Sequence, residues 1–124
     1  MKYLLDTNIL IWLSQSNPLL PDEFKEIILS PENTSMISIV SLWEIGIKYS
    51  LKKLSLQKPL DILFSEIYQT DFMDILELKT EHILKSVELP FYHRDPFDRL
   101  LYAQAKAENM SFLYTDKIFD KYNT

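Results

Sequence analysis

Cysteine is missing from the chain, which excludes disulfide staples, thiolate zinc sites and a cysteine nucleophile. Glycine occurs once, as Gly46. Phosphate-cradling loops, dinucleotide fingerprints and nucleophile elbows each need several glycines for close backbone approach or positive φ, so all three are excluded. The two histidines, His82 and His93, are too few for a three-histidine metal site. No apolar run approaches the roughly 18 residues of a membrane-spanning helix, and the opening residues have no signal-peptide pattern. The expectation is a soluble, cytoplasmic protein. Basic charge is short as well: 13 Lys and Arg against 18 Asp and Glu leave a net charge of −5. Proteins that hold nucleic acid by bulk electrostatics are usually basic. A simple DNA-coating module is therefore disfavoured, while a local site that recruits metal cations stays open.

What is present suffices for one domain. The 124 residues are 47% hydrophobic and 13% aromatic, enough for a sizeable core. Leu4 and Leu5 form a short apolar strand that stops on an acid, Asp6, and Ile9, Leu10, Trp12 and Leu13 then recur at helical spacing. Pro18 and Pro21 break the chain before a helix carrying Phe24, Ile27, Ile28 and Leu29. Residues 34–39 read as a strand and 40–49 as a helix. Pro59 suits a first helical turn ahead of Leu60, Leu63, Phe64 and Ile67. A third strand over 72–78 leads to a helix over 80–89 with Ile83, Leu84 and Val87 expected inward. After a loop, Asp95 and Pro96 open a helix through Ala107, which Asn109 closes in the left-handed conformation. A last strand over 111–115 again ends on an acid, Asp116. Strands alternating with helices predict an α/β fold, a sandwich around a mostly parallel sheet. Sites in such sheets form beyond the carboxyl ends of the strands, where Asp6 and Asp116 stand.

Four acids interrupt apolar surroundings: Asp6, Glu44, Asp98 and Asp116. Burying one carboxylate without a partner is costly, and several together repel one another, so a fold keeps such a cluster mainly when hard cations fill it. Mg²⁺ or Mn²⁺ suits a few oxygen ligands drawn from separate elements. Each acid taken singly also has a structural reading. Asp6 and Asp116 could cap the helices that follow, Glu44 could complete a capping box with Ser41, and Asp98 could serve the helix dipole. Thr7, Asn8 and Thr115 flank the acids and could contact a ligand or serve as turn residues. His93, Arg94 and Arg99 could meet phosphate or belong to a solvated loop with a salt bridge, and His93 reads as the latter. Lys48, Lys52, Lys53 and Lys58 read as a solvated face, Trp12 and Trp43 as core, and Asp120 as a surface residue.

Taken together, Leu-Leu-Asp-Thr-Asn at the start, Ser-Leu-Trp-Glu-Ile in the middle, Asp-Pro-Phe-Asp-Arg-Leu-Leu-Tyr-Ala and Tyr-Thr-Asp-Lys near the end resemble the ordered acidic motifs of PIN-domain ribonucleases, the small bacterial toxins of the VapC type in particular. The resemblance runs from Tyr3 to about Tyr122 and implies a single nuclease domain over 1–124, a three-layer α/β/α sandwich. It implies that Asp6, Glu44, Asp98 and Asp116 converge on Mg²⁺ or Mn²⁺, with Asp6 and Asp98 as direct ligands. Thr7, Asn8, Arg99 and Thr115 would then lie beside the substrate. The implied reaction is endonucleolytic hydrolysis of RNA. The implied partners are RNA, a cognate antitoxin and a second copy in a homodimer, with no membrane. A phosphoaspartate receiver or phosphatase-like α/β domain is the alternative, though Asp6 stands alone and Asn8 occupies the second position of an Asp-x-Asp pair. A non-catalytic PIN-fold binding module is the other.

Overall fold

The computed structural model describes residues 1–123. Four strands alternate with six α-helices and a closing 3-10 helix: β1 (Lys2–Leu5), α1 (Thr7–Ser14), α2 (Asp22–Leu29), β2 (Thr34–Ser38), α3 (Ile39–Ser50), α4 (Leu60–Gln69), β3 (Met73–Leu76), α5 (Thr80–Glu88), α6 (Pro96–Ala107), β4 (Ser111–Leu113) and the 3-10 helix Lys117–Asn123. The strand order is β3-β2-β1-β4, and all three pairings are parallel. Leu4 aligns with Met36 on one side and with Phe112 on the other.

Alternation along the strands builds the layers. Leu5, Ile37 and Leu113 point to one face and pack with Ile9 and Leu10 of α1, Ile28 of α2, Leu42 and Ile45 of α3, and Leu63 and Ile67 of α4. Leu4, Met36 and Leu76 point to the other face, against Ala105 of α6. Each such fully buried aliphatic side chain contributes about 2 kcal/mol. The α/β/α sandwich expected from the sequence is the observed architecture. No helix among the described residues is long and apolar enough to cross a membrane.

Caps set the helix starts. Asp6 Oδ1 accepts from the Ile9 N–H at 2.8 Å, and Ser38 Oγ accepts from the Val40 N–H at 3.0 Å. Asp95 Oδ1 accepts from the Phe97 N–H at 2.8 Å, with Pro96 as the first helical residue. Asn109, at φ 55°, ends α6 in the left-handed region, and the Met110 N–H closes onto the Ala105 carbonyl at 2.9 Å.

Three packing expectations are corrected. Ile83, Leu84 and Val87 of α5 are exposed, and the helix turns His82 inward instead. His82 Nδ1 accepts from the Lys79 N–H at 3.0 Å, and its Nε2 lies 3.3 Å from Glu108 Oε2, so polar partners outcompete the apolar stripe for the α6 side. Trp43 is exposed on α3, with one ring edge on Phe97. Ser41 and Glu44 form no capping box, because α3 begins three residues earlier, after Ser38.

Candidate active site

β1 lies between β2 and β4, so the chain order reverses across it, and loops leaving its carboxyl end part to make a crevice. A cavity of about 80 Å³ opens there, lined by Asp6, Thr7, Asn8, Glu44, Lys48, Asp95, Asp98, Asp116 and Phe119. A larger cavity, about 430 Å³, lies between α3 and α4, but its walls are mainly apolar and hold no acid. The chemistry is concentrated in the small one.

Asp6 follows β1 directly and is buried. Its second oxygen, Oδ2, accepts from the Thr115 N–H at 3.1 Å, which ties β1 to the end of β4. Desolvation pushes its pKa up to about 6, against the Ile9 and Thr115 N–H groups, which lower it; the Glu44 charge adds to the rise. Glu44 reaches in from the buried face of α3. Its Oε1 accepts from Thr7 Oγ1 at 2.6 Å, and its Oε2 pairs with Lys48 Nζ at 2.8 Å, one helical turn on. Burial works against the Lys48 charge, but Glu44, Asp95 and Asp98 outweigh it and raise the Lys48 pKa.

Asp98 lies in the first turn of α6. Desolvation, followed by the charges of Asp95, Glu44 and Asp6, pushes its pKa up to about 7, and Lys48 opposes them. Asp116 follows β4, and its Oδ1 accepts from the Ile118 N–H at 3.0 Å, capping the 3-10 helix. The sequence-expected acids thus line one cavity, and Asp6 and Asp116 cap helices as well. Asp120 stays on the surface, where it accepts from the Tyr114 hydroxyl.

The flanking residues fall differently. Thr7 is buried in the cavity lining, and its hydroxyl donates to Glu44. Asn8 is exposed at the cavity rim, and Thr115 acts through its backbone N–H on Asp6. Arg99 is a correction. It is buried, and its guanidinium donates to the carbonyls of Ser86, Leu89, Pro90 and His93 at 2.9–3.2 Å. With both terminal nitrogens committed to carbonyls and the side chain buried, Arg99 shapes the loop between α5 and α6 rather than facing solvent.

Sequence reasoning missed three residues. Lys48 was legible as an i,i+4 partner of Glu44. Asp95 both caps α6 and lines the cavity. His93, expected in a solvated loop, turns inward with Nε2 at 3.0 Å from Asp98 Oδ2 and 3.2 Å from Asp116 Oδ2. No sequence signal marks that turn, since the loop has no period.

Oxygen donors from separate elements, two of them with raised pKa, are the donor set a hard divalent cation takes. Among the described residues, the group that brings three potential ligand atoms within 4.8 Å of one another is Glu81, His82 and Glu108 rather than the acids of the cavity. There Lys79 Nζ, 3.4 Å from Glu108 Oε1, already supplies a cation.

No curated protein matches the sequence. Among solved structures, the chain is similar to VapBC2 from Rickettsia felis bound to a DNA fragment from its promoter, at 21% identity and a TM-score of 0.70, covering 98% of this chain and 92% of that one. It is similar to a toxin–antitoxin complex from Klebsiella pneumoniae at 18% identity and a TM-score of 0.62, covering 93% and 87%. It is also similar to VapC20 of Mycobacterium tuberculosis, a sarcin–ricin-loop-cleaving toxin, at 11% identity and a TM-score of 0.71, covering 97% and 94%. The PIN domain family matches residues 3–124, nearly the whole chain, which replaces the receiver and phosphatase alternatives: the chain belongs to the PIN domain family.

Proposed function

We propose that the chain is a divalent-metal-dependent endoribonuclease and the toxin of a type II toxin–antitoxin pair, acting in the cytoplasm. The observation that carries the reading is the cavity at the sheet's switch point, lined by Asp6, Glu44 and Asp98, where desolvation and mutual repulsion raise the pKa values of Asp6 and Asp98. Asp6 and Asp98 would hold Mg²⁺ or Mn²⁺ directly, and Glu44 and Asp116 would complete the set directly or through water. A bound metal supplies water activation at neutral pH and countercharge for the phosphodiester, with the 3′-hydroxyl as leaving group.

The chain's own residues prepare that chemistry. The Ile9 and Thr115 N–H groups fix the Asp6 carboxylate, so it meets a cation without reorganising. Thr7 and Lys48 hold the two oxygens of Glu44. Lys48 is the ammonium at the cavity wall and offsets part of the acidic charge that an RNA phosphate would meet. Asn8, exposed at the rim, would touch RNA in this reading. A second copy of the chain and an inhibitory antitoxin belong to the same reading, supported by the fold shared with the toxin–antitoxin complexes.

The test is incubation of purified protein with structured RNAs in Mn²⁺, Mg²⁺ or EDTA. Cleavage that EDTA abolishes and either metal restores supports the reading. Cleavage unchanged under thorough chelation overturns the metal requirement, and no cleavage of any RNA in either metal favours a binding module.

A further inference from the structure

The loop between α5 and α6 is exposed over most of its length, yet the His93 side chain within it is 11% exposed. Four other residues fix it. Its backbone N–H donates to Tyr122 Oη at 3.0 Å, and its carbonyl accepts from Arg99 Nη1 at 3.2 Å. The ring lies tilted on Phe119 with centroids 5.0 Å apart, and Nδ1 accepts from the Asp95 N–H at 3.1 Å. A ring nitrogen that accepts an N–H carries no proton itself, so the ring proton sits on Nε2. That atom is buried between Asp98 Oδ2 and Asp116 Oδ2, at 3.0 and 3.2 Å, and aligned with neither as a hydrogen bond. A buried donor left so costs about 1–3 kcal/mol. The bond from the Asp95 N–H accounts for Nδ1, but neither it nor the packing on Phe119 calls for a buried N–H at the other ring nitrogen.

We propose that His93 is a positioning residue of the acidic cavity, whose Nε2–H holds the Asp98 and Asp116 carboxylates in the arrangement that receives a divalent cation. The proposal rests on the metal-dependent reading above. Asp98 belongs to α6 and Asp116 follows β4, and the imidazole lies within 3.2 Å of both carboxylates. Asp116 gains most. Its side chain is 56% exposed, and with Oδ1 held by the Ile118 N–H, the other oxygen, Oδ2, lies 3.2 Å from His93 Nε2. With its proton on Nε2 and its Nδ1 engaged, the ring orients ligands and is not one itself. Groups that hydrogen-bond metal ligands typically alter metal affinity or activity by about 10–100-fold when removed.

The experiment compares wild type, His93→Phe and His93→Gln as full chains. Phe keeps the ring and loses the N–H, while Gln can present an amide N–H near the position of Nε2. Mn²⁺ affinity is read by calorimetry, thermal melting is read in metal-free buffer, and kcat and KM are read on a cleaved RNA. Both variants lose the acceptor for the Asp95 N–H, so they should share a similar drop in melting temperature. Mn²⁺ affinity should fall at least tenfold in His93→Phe, together with kcat and not KM, and recover most of the way in His93→Gln. Equal loss in both variants, or wild-type Mn²⁺ affinity in His93→Phe, overturns the proposal and leaves the ribonuclease reading intact. A wild-type chain that binds no Mn²⁺ overturns both. Ring ¹⁵N shifts of the wild type supply a readout independent of metal and of the variants' folding. The Nε2–H tautomer is expected at His93, and an Nδ1–H tautomer overturns the proposal.

Discussion

Two aspartates three residues apart in one helix entrance separate structure from chemistry. Asp95 caps α6 through the Phe97 and Asp98 N–H groups at 2.8 and 3.3 Å, whereas among the described residues no backbone N–H serves the Asp98 side chain. The pKa of Asp98 rises from 3.8 to about 7 in the folded chain. A folded value above the unfolded one means that the native state binds the extra proton. This contribution to stability is therefore whole below about pH 4 and lost as pH rises through about 7. Three units correspond to about 4 kcal/mol at about 1.4 kcal/mol each. The side chain is 25% exposed, and solvent screening leaves about half, about 2 kcal/mol. Asp98→Asn removes the charge and keeps the shape, so in EDTA at about pH 8 it should melt about 8 °C higher, given the unfolding entropy of a chain this long. The gain should vanish at about pH 4. RNA cleavage should fall by orders of magnitude, since a neutral amide is a poor ligand for a hard cation. Asp95→Asn keeps a good cap. It should melt within about 2 °C of wild type and cleave nearly as well. Melting curves by calorimetry at the two pH values, with cleavage rates in Mn²⁺, decide the matter. Equal effects from the two substitutions, or a gain in Asp98→Asn that persists in acid, would refute the assignment of Asp98 as the strained cavity acid.

Arg99→Lys should lower stability by about 2 kcal/mol or more, because an ammonium cannot serve four part-buried carbonyls spread around a planar fork; a denaturant midpoint within error of wild type would remove Arg99 from its clamping role. Thr7→Val should reduce cleavage about tenfold or more by freeing Glu44 Oε1, and Thr7→Ser should restore it, as scored by single-turnover rates. Expression of the chain alone should slow bacterial growth while the Asp6→Asn form does not, and harmless accumulation of the wild type would count against the toxin assignment.

The legible parts of the molecule are those governed by local rules. Strand ends at Asp6 and Asp116 follow from apolar runs that stop on an acid, and the α6 start follows from Asp95-Pro96, where the missing N–H of proline and the cap agree. The placement of Asn109 follows from the scarcity of glycine at a position that needs positive φ. Arg99 and His93 were misread for one shared reason. Both depend on the path of residues 89–95, which has no hydrophobic period and is set by the carbonyls that Arg99 gathers and by Tyr122, 29 positions from His93. α5 failed differently: its apolar triplet looked inward by composition, but His82 had three polar partners waiting on its other side, in Lys79, Gln104 and Glu108. Helical periodicity identifies a face, and tertiary partners decide which face is buried.

The four cavity acids differ in how much the chain has done for each, and that difference ranks them. Asp6 has a backbone N–H on each oxygen, and Glu44 has a hydroxyl on one and an ammonium on the other. Asp116 has one N–H on Oδ1 and the unaligned imidazole of His93 near Oδ2, with its side chain 56% exposed. Asp98 has the same unaligned imidazole and the charge of Lys48, which desolvation and the charges of Asp95, Glu44 and Asp6 outweigh. It is the least compensated carboxylate in the cavity, and its pKa is the higher of the two raised values. A charge held at such a disadvantage in the metal-free chain is one that a cation stabilises most on binding. Metal binding should therefore abolish the acid-side stabilisation. In saturating Mn²⁺ the melting temperature should no longer fall as pH rises between about 4 and 7, because the metal holds Asp6 and Asp98 ionised across that range. A fall of the same size with and without Mn²⁺, measured on wild type, would mean that the cation sits elsewhere than beside Asp98.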